Sequence, residues 1–240
     1  MLSVFIEDIE WVTFHQADSE AIYPGVGARC HFSLRTYRDD LFFRAGIPFT
    51  AEIARSVPKR RAEYLAGRYL ARRVLERLGV ERYTLKNGED RSPQWPDFIV
   101  GSLSHNADSA LCAAHMRQDT ASYVGLDVET VMSEERANSL WPGIINDEEF
   151  DWMHEVFPGR FSTLLTLTFS AKESLYKALY PQVKHYFDFL DVKILELDRA
   201  SHSFTLELLC DLSPDFLRGR RFSGTYQLRD NDVTTFIYHQ

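Results

Sequence analysis

The sequence predicts an α+β fold built from two similar halves, and two observations support this prediction. Apolar residues recur at helical spacing from about Pro58 to Leu78, and one or two further helices are predicted from Phe161 to Tyr180. Several strand-like segments, bounded by turn-forming residues, follow each of these stretches. No sequence repeat accompanies the similarity, so element order alone predicts two pseudo-symmetric α+β lobes, residues 1–122 and 123–240, with a ligand cleft between them.

The composition is that of an ordinary globular protein. The chain has 240 residues, of which 45% are hydrophobic and 26% are charged, so it can bury a substantial core. Its formal net charge of −8 argues against nucleic acid as a partner, because nucleic-acid-binding proteins normally present a broad basic surface.

Cysteine usage and hydropathy predict a cytoplasmic protein. Cys30, Cys112 and Cys210 lie far apart without ligand spacing, which favours reduced thiols over disulfides or a zinc site. The first residues lack the positive start of a signal peptide. We expect no transmembrane segment, because no apolar run approaches the roughly 20 residues that span a bilayer. Peripheral contact with a membrane stays open.

The first 50 residues predict short strands and loops, because prolines and glycines interrupt them. The helix that follows is predicted to begin at Pro58, since proline suits the first turn, and to end before Gly79. It is rich in arginine and lysine. One interpretation is a solvated helix face, and the other is a wall for an anionic ligand near Lys59–Arg61, at the positive end of the helix.

Three strands are predicted next, over Phe98–Ser104, Ala110–His115 and Ser122–Glu129. The third alternates apolar with polar residues, so that Asp127 and Glu129 point to one face. Gly125 shares that face and is predicted to leave room for a ligand. An ordinary half-buried strand with a polar outer face is the alternative interpretation.

The second half repeats this order of elements. A Trp-Pro-Gly break in Leu140–Asn146 precedes a helix over Asp147–Val156 and one or two helices over Phe161–Tyr180. The predicted strands that follow are Val192–Leu197, Phe204–Leu209, Arg221–Leu228 and Thr234–Tyr238.

Residues 169–177, with the sequence Phe-Ser-Ala-Lys-Glu-Ser-Leu-Tyr-Lys, have two competing interpretations. Ser170 and Glu173 match a capping box, and Glu173 with Lys177 matches an ion pair at i,i+4 spacing, so an ordinary helix start explains them. If Glu173 instead meets Asp127 and Glu129, the three carboxylates suit a divalent metal and a phosphate-bearing substrate.

A third polar segment, Gly-Ser-Leu-Ser-His over residues 101–105, ends a predicted strand. Ser104 and His105 can donate hydrogen bonds to a phosphate there without crowding it. A histidine of an ordinary turn is the alternative interpretation.

Five segments in this order closely resemble the 4′-phosphopantetheinyl transferases, in particular the monomeric, two-lobed type and its enterobactin-synthase component D group. The segments are residues 59–68, 91–96, 101–105, 125–129 and 169–177. Together they extend the resemblance over about residues 35–195. The resemblance implies a monomer that transfers 4′-phosphopantetheine from coenzyme A to a serine of an apo acyl, peptidyl or aryl carrier protein, in a siderophore or nonribosomal peptide pathway.

The resemblance also implies the roles of individual residues. It implies Mg²⁺ bound by Asp127, Glu129 and Glu173 together with the pyrophosphate of coenzyme A, and a catalytic set of Asp127, Glu173 and Lys177. The residues that it implies for coenzyme A binding are Arg60, Arg61, Arg91, Ser104, His105, Lys172 and Lys177, the two lysines lying along the phosphates. Two alternatives are a noncatalytic module that binds coenzyme A or a carrier protein, and a metal-dependent phosphoester hydrolase.

Overall fold

The computed structural model describes residues 2–17, 21–119 and 121–239. Its helices and antiparallel sheets confirm the predicted α+β class. Of the described residues, those up to Phe14 and from Tyr23 to Val124 form one compact unit, and His15–Ile22 with Gly125–His239 form a second. The assignment of lobes 1–122 and 123–240, and the cleft between them, stay predictions.

The first unit packs helices on a small sheet. Its helices are α1 (Leu2–Phe5), α2 (Asp40–Ala45), α3 (Ala51–Ala54) and α4 (Pro58–Arg77). Its strands are β1 (Glu10–Val12), β2 (Val26–His31), β3 (Lys86–Asn87), β4 (Pro93–Gln94), β5 (Ile99–His105) and β6 (Ser109–Met116). The sheet order is β1-β2-β6-β5, with antiparallel neighbours, and β3 pairs separately with β4.

Helix α4 forms the centre of this unit and confirms the prediction of its position. It begins at Pro58, and Gly79 follows it in the left-handed conformation that glycine favours. Its buried face, which includes Leu65 and Leu70, packs on β2, β5 and β6. The helices α1 and α2 were not predicted, because segments of four and six residues are too short to show a helical repeat.

The second unit packs its helices on a larger sheet. Strand β7 (Tyr123–Thr130) begins at the end of the first unit and continues into the second. The remaining elements are α5 (Glu134–Leu140), α6 (Asp147–Val156), α7 (Phe161–Val183), β8 (Val192–Asp198), β9 (Ser203–Leu208), β10 (Arg221–Arg229) and β11 (Asp232–His239). The sheet order is β7-β11-β10-β9-β8, and α7 lies against β9, β10 and β11. Helices α5 and α6 pack on α7.

The structure also bears on the predicted thiols and on the predicted lack of a transmembrane segment. Cys30, Cys112 and Cys210 are free thiols, as predicted, and the first two are buried. Across the described residues, no helix has both the length and the apolar character required to cross a bilayer.

Candidate active site

Helix α7 covers β7 where the strand carries the predicted acids. A side-chain carbon added at Gly125 would lie 1.9 Å from the carbonyl oxygen of Ser174 on α7, so only glycine allows this close approach. The prediction that Gly125 leaves room for a ligand was therefore wrong, because the helix fills that space. Asp127 shares this face of β7 and is only 2% exposed.

Helix α7 runs from Phe161 to Val183, which places Glu173 near its middle. Ser170 is buried, and its hydroxyl lies 2.9 Å from that of Thr235 on β11. The capping interpretation of Ser170 and Glu173 was therefore wrong. The apolar residues before Ser170 form further helical turns, because burying them outweighs a local cap.

A buried ion pair joins α7 to β7. Lys177 Nζ donates a hydrogen bond to Asp127 Oδ1 over 2.6 Å. The aspartate side chain is 2% exposed and the lysine side chain 26%, so the ammonium lies at the edge of the buried region. Because an ammonium has three donors, Lys177 can bind Asp127 and an anionic ligand at the same time.

Asp127, Glu129 and Glu173 are electrostatically coupled to one another and to Lys177. Burial and the negative charge of Asp127 raise the pKa of Glu129 to about 7, although Lys177 opposes this shift. Burial also raises the pKa of Glu173; Lys177 counteracts that rise and Asp127 adds to it. Three acids thus share the electrostatic influence of one lysine, which leaves excess negative charge around Lys177.

The chemistry of this group suits a hard divalent cation. Carboxylate oxygens are the ligands that Mg²⁺ prefers, and a cation would offset the negative charge of these acids, whose burial is the main cause of the raised glutamate pKa values. Among the described residues, however, no three His, Cys, Asp or Glu side chains form a ready-made metal cluster. The donor types therefore fit Mg²⁺, whereas its binding by Asp127, Glu129 and Glu173 stays a proposal.

Lys172 does not occupy the position that the resemblance implies. Its side chain is 1% exposed, and Nζ lies 3.0 Å from Glu149 Oε1 on α6 and 2.8 Å from the carbonyl oxygen of Ile144. Burial lowers the pKa of Lys172, and the charge of Glu149 opposes that shift. The prediction that Lys172 lies along the phosphates is corrected accordingly, because its ammonium binds Glu149 and the Ile144 carbonyl oxygen instead.

An aromatic cavity of about 140 Å³ opens beside Glu173. The ring of Tyr176, one residue before Lys177, lies 5.1 Å from that of Phe187 and 5.9 Å from that of Tyr186. The residues that line the cavity are Lys172, Glu173, Tyr176, Tyr186, Phe187, Asp188, Phe189 and Val192. Sequence reasoning missed this cavity, although the cluster Tyr186-Phe187-Asp188-Phe189 after a predicted helix is a signal that could have indicated it.

In the first unit, the N-terminal turn of α4 meets the end of β5. Arg60 Nη1 lies 3.0 Å from His105 Nε2. Since arginine can only donate, Nε2 accepts, which places the proton of a neutral ring on Nδ1. Glu63 Oε2 lies 3.8 Å from both Arg60 Nη1 and His105 Nδ1. Sequence reasoning missed this glutamate, whose i,i+3 spacing from Arg60 could have indicated the contact.

The remaining predicted ligands of coenzyme A also lie in the first unit. Arg61 pairs with Asp39 over 2.7 Å, so its charge is already partly compensated. Ser104 is buried on β5. Arg91 is exposed on the turn between β3 and β4 and has a left-handed backbone, with φ of 64°.

Comparisons with known proteins match most of the chain. The model of the 4′-phosphopantetheinyl transferase N-terminal domain matches residues 49–115, and that of the 4′-phosphopantetheinyl transferase superfamily matches residues 123–230. Enterobactin synthase component D of Salmonella typhimurium is 34% identical over 219 residues, which cover 89% of this chain and 87% of the relative. Its Escherichia coli counterpart is 35% identical over 193 residues, covering 80% and 84%. The 4′-phosphopantetheinyl transferase Svp of Streptomyces mobaraensis is 34% identical over 175 residues, covering 72% and 69%.

These matches extend through both halves of the chain and define a transferase enzyme. The chain belongs to the 4′-phosphopantetheinyl transferase superfamily, which confirms the resemblance found in the sequence.

Proposed function

We propose that the protein transfers 4′-phosphopantetheine from coenzyme A to a serine of an apo carrier protein and releases adenosine 3′,5′-bisphosphate. The Lys177–Asp127 ion pair, with Glu129 and Glu173 coupled to it, carries this proposal. This group combines oxygen ligands for a cation with a positive charge for a phosphate. A protein that only bound coenzyme A would have no need for a buried group of both kinds.

The residues of α7 and β7 divide the chemistry among them. The serine oxygen forms a bond to the phosphorus that carries pantetheine, and the bond from this phosphorus to the bridging pyrophosphate oxygen breaks. Glu173 accepts the serine proton. Lys177 donates to the leaving phosphate, which takes the electron pair, and Asp127 orients Lys177.

Asp127, Glu129 and Glu173 would hold Mg²⁺ together with pyrophosphate oxygens. A cation bound there would neutralise negative charge on the pyrophosphate. A carboxylate has two oxygens, so Glu173 can contribute one to the cation and direct the other at the serine hydroxyl.

The first unit supplies the proposed ligands of the nucleotide. Arg60 and His105 are held together by their hydrogen bond and can donate from their remaining N–H groups. Ser104 lies next to His105 on β5. Arg61 and Arg91 add positive charge, although Arg61 must share its guanidinium with Asp39.

The relatives suggest the biological setting of the reaction. Two of them carry the name enterobactin synthase component D, which favours a siderophore or nonribosomal peptide pathway as the source of the carrier protein. The cytoplasmic location expected from the cysteines, and the absence of nucleic acid among the partners, stay predictions.

A mass-shift assay tests the proposed function. The protein is incubated with coenzyme A, Mg²⁺ and a panel of apo aryl, peptidyl and acyl carrier proteins, and one serine is expected to gain one phosphopantetheine. Binding of coenzyme A without any transfer across the panel would favour the noncatalytic module. Breakdown of coenzyme A without a carrier would favour the hydrolase.

The variant Glu173→Gln tests the catalytic assignment within that assay. Removing the carboxylate should abolish transfer because both the proton acceptor and a proposed cation ligand are lost. The circular dichroism spectrum should be unchanged, since the amide keeps the side-chain volume. Glu148→Gln is the control, because the Glu148 side chain is 79% exposed on α6 and should be dispensable. Full activity of Glu173→Gln would remove Glu173 from the mechanism.

A further inference from the structure

The lysine next to Glu173 is enclosed by protein. Lys172 Nζ lies 3.0 Å from Glu149 Oε1, 3.4 Å from Glu149 Oε2 and 2.8 Å from the carbonyl oxygen of Ile144. The ammonium donates hydrogen bonds to Glu149 Oε2 and to the Ile144 carbonyl oxygen, and Glu149 Oε1 completes the ion pair. The side-chain exposure of 1% for each partner separates the pair from solvent.

Glu149 connects three elements of the second unit at this point. Its Oε2 accepts a hydrogen bond from the backbone N–H of Asn146 at the start of α6, over 2.9 Å. Its Oε1 accepts one from the backbone N–H of Ile194 on β8, over 2.8 Å. Since Lys172 binds the same carboxylate, α7 is attached to both α6 and β8 through one group.

Helix α7 is held on a second side by hydroxyl groups. Ser174 Oγ lies 2.7 Å from Thr235 Oγ1 on β11 and 3.2 Å from the Thr235 carbonyl oxygen. Successive residues of an α-helix project about 100° apart, so Lys172 and Ser174 project on either side of Glu173. The two attachments therefore flank the direction in which Glu173 points.

We propose that the Lys172–Glu149 pair is a positioning device that fixes the rotation of α7 and thereby presents the Glu173 carboxylate to the cation. This inference rests on the proposed function. Lys172 is then a positioning residue that acts through Glu173 and touches neither substrate nor cation.

The charged nature of the Lys172–Glu149 contact supports a role in positioning α7 rather than in stabilising the fold. A buried ion pair contributes little net stability compared with apolar residues of the same volume, because both charges lose their hydration. Apolar contacts are non-directional, whereas the hydrogen bonds of Lys172 and Glu149 each require a particular orientation. The pair therefore restrains rotation of α7 in a way that an apolar contact would not.

Binding of Mn²⁺, measured by electron paramagnetic resonance with and without coenzyme A, tests this inference without relying on turnover. We expect Lys172→Met and Glu149→Gln each to raise the dissociation constant of Mn²⁺ by about tenfold, as is typical when support for a metal ligand is removed. The affinity is expressed per folded protein, with the folded fraction taken from urea unfolding. The double variant Lys172→Met/Glu149→Gln leaves no buried charge unpaired, so it decides the question if either single variant does not fold.

Lys193→Met is the matched control. Lys193 pairs with Glu148 over 2.5 Å and so joins the same two elements, α6 and β8, one residue away from the buried contacts. Its Mn²⁺ affinity should equal that of the wild type, because the Lys172–Glu149 pair is retained.

Two results would overturn the inference. Loss of stability with unchanged Mn²⁺ affinity in both variants would make the pair merely structural. Weaker binding of coenzyme A by Lys172→Met alone, with normal Mn²⁺ affinity, would show that Lys172 contacts the phosphates of coenzyme A.

The wild-type protein tests the proposed function independently of the variants. A wild-type protein that binds Mn²⁺ but modifies no carrier contradicts the proposed reaction, while the variants still decide the role of the pair. A wild-type protein that binds no Mn²⁺ under either condition contradicts both the cation site and the positioning role.

Discussion

Arg91 has a left-handed backbone conformation that residues other than glycine adopt only at a cost of roughly 1–2 kcal/mol. An arginine at such a position is a candidate for function. Arg91→Gly should therefore leave the free energy of unfolding unchanged or raise it by about 1 kcal/mol. It should also weaken coenzyme A binding by about tenfold, the effect of losing a hydrogen bond to a charged group. Urea unfolding and isothermal titration calorimetry measure the two effects.

Arg82 provides the control for this prediction. It is exposed and also left-handed, with φ of 57°, but no proposed ligand role is attached to it. Arg82→Gly should give a similar change in stability and normal coenzyme A affinity. Equal affinity in both variants would exclude Arg91 from the nucleotide site.

His115 couples the stability of the first unit to pH. It is 3% exposed, with Nδ1 lying 2.8 Å from the Tyr23 hydroxyl and Nε2 2.7 Å from the Ser122 hydroxyl. Burial, with a smaller contribution from the Arg117 charge, lowers its pKa from 6.5 to about 4. Between these values the unfolded chain binds a proton that the folded protein does not. The stabilisation is thus present above pH 6.5 and is lost as the pH falls towards 4, by up to roughly 3 kcal/mol.

His115→Gln isolates this contribution from other acid effects. The difference in the free energy of unfolding between wild type and variant should shrink as the pH is lowered from 7 to 4.5. Urea unfolding at several pH values measures it. A difference that is independent of pH would show that His115 does not titrate as the structure indicates.

At the scale of elements, the contact between β7 and α7 determines whether Asp127 meets Lys177. Gly125→Ala would place a carbon 1.9 Å from the Ser174 carbonyl oxygen, so strand and helix would have to separate. We expect a loss of about 3 kcal/mol or more in the free energy of unfolding, the upper end for overpacking.

Gly143→Ala is the control for this substitution. An added carbon at Gly143 meets nothing within 4 Å, so the change should stay within about 0.5 kcal/mol. Guanidinium chloride unfolding compares the two variants. Wild-type stability of Gly125→Ala would contradict the close packing of α7 on β7.

At the scale of the whole molecule, the expected monomer can be tested directly. The net charge of −8 at pH 7 favours mutual repulsion between copies of the chain. Sedimentation equilibrium at pH 7 should give a mass of about 27.8 kDa over a wide concentration range. A mass that rises with protein concentration at moderate salt would contradict the prediction.

The structure shows where local patterns succeed and where they fail. Helix α4 was predicted because Pro58 and Gly79 bound a clear apolar repeat, and these signals lie within one short stretch of chain. Helix α7 shows the opposite case, since the local pattern of Ser170 and Glu173 matches a cap. Burial of the turns before Ser170 against the rest of the second unit overrides that pattern.

The roles of Asp127, Glu129, Glu173 and Lys177 stay proposals, whereas the sequence by itself determined the α+β class and the family. These depend on periodicity and on residue types in a fixed order. The tertiary structure alone decided that Gly125 serves packing and that Lys172 faces Glu149, because both depend on contacts between residues far apart in the chain. No local pattern records which partner a buried side chain will meet. Only the packed fold assigns Lys172 to a carboxylate of the protein instead of to a phosphate.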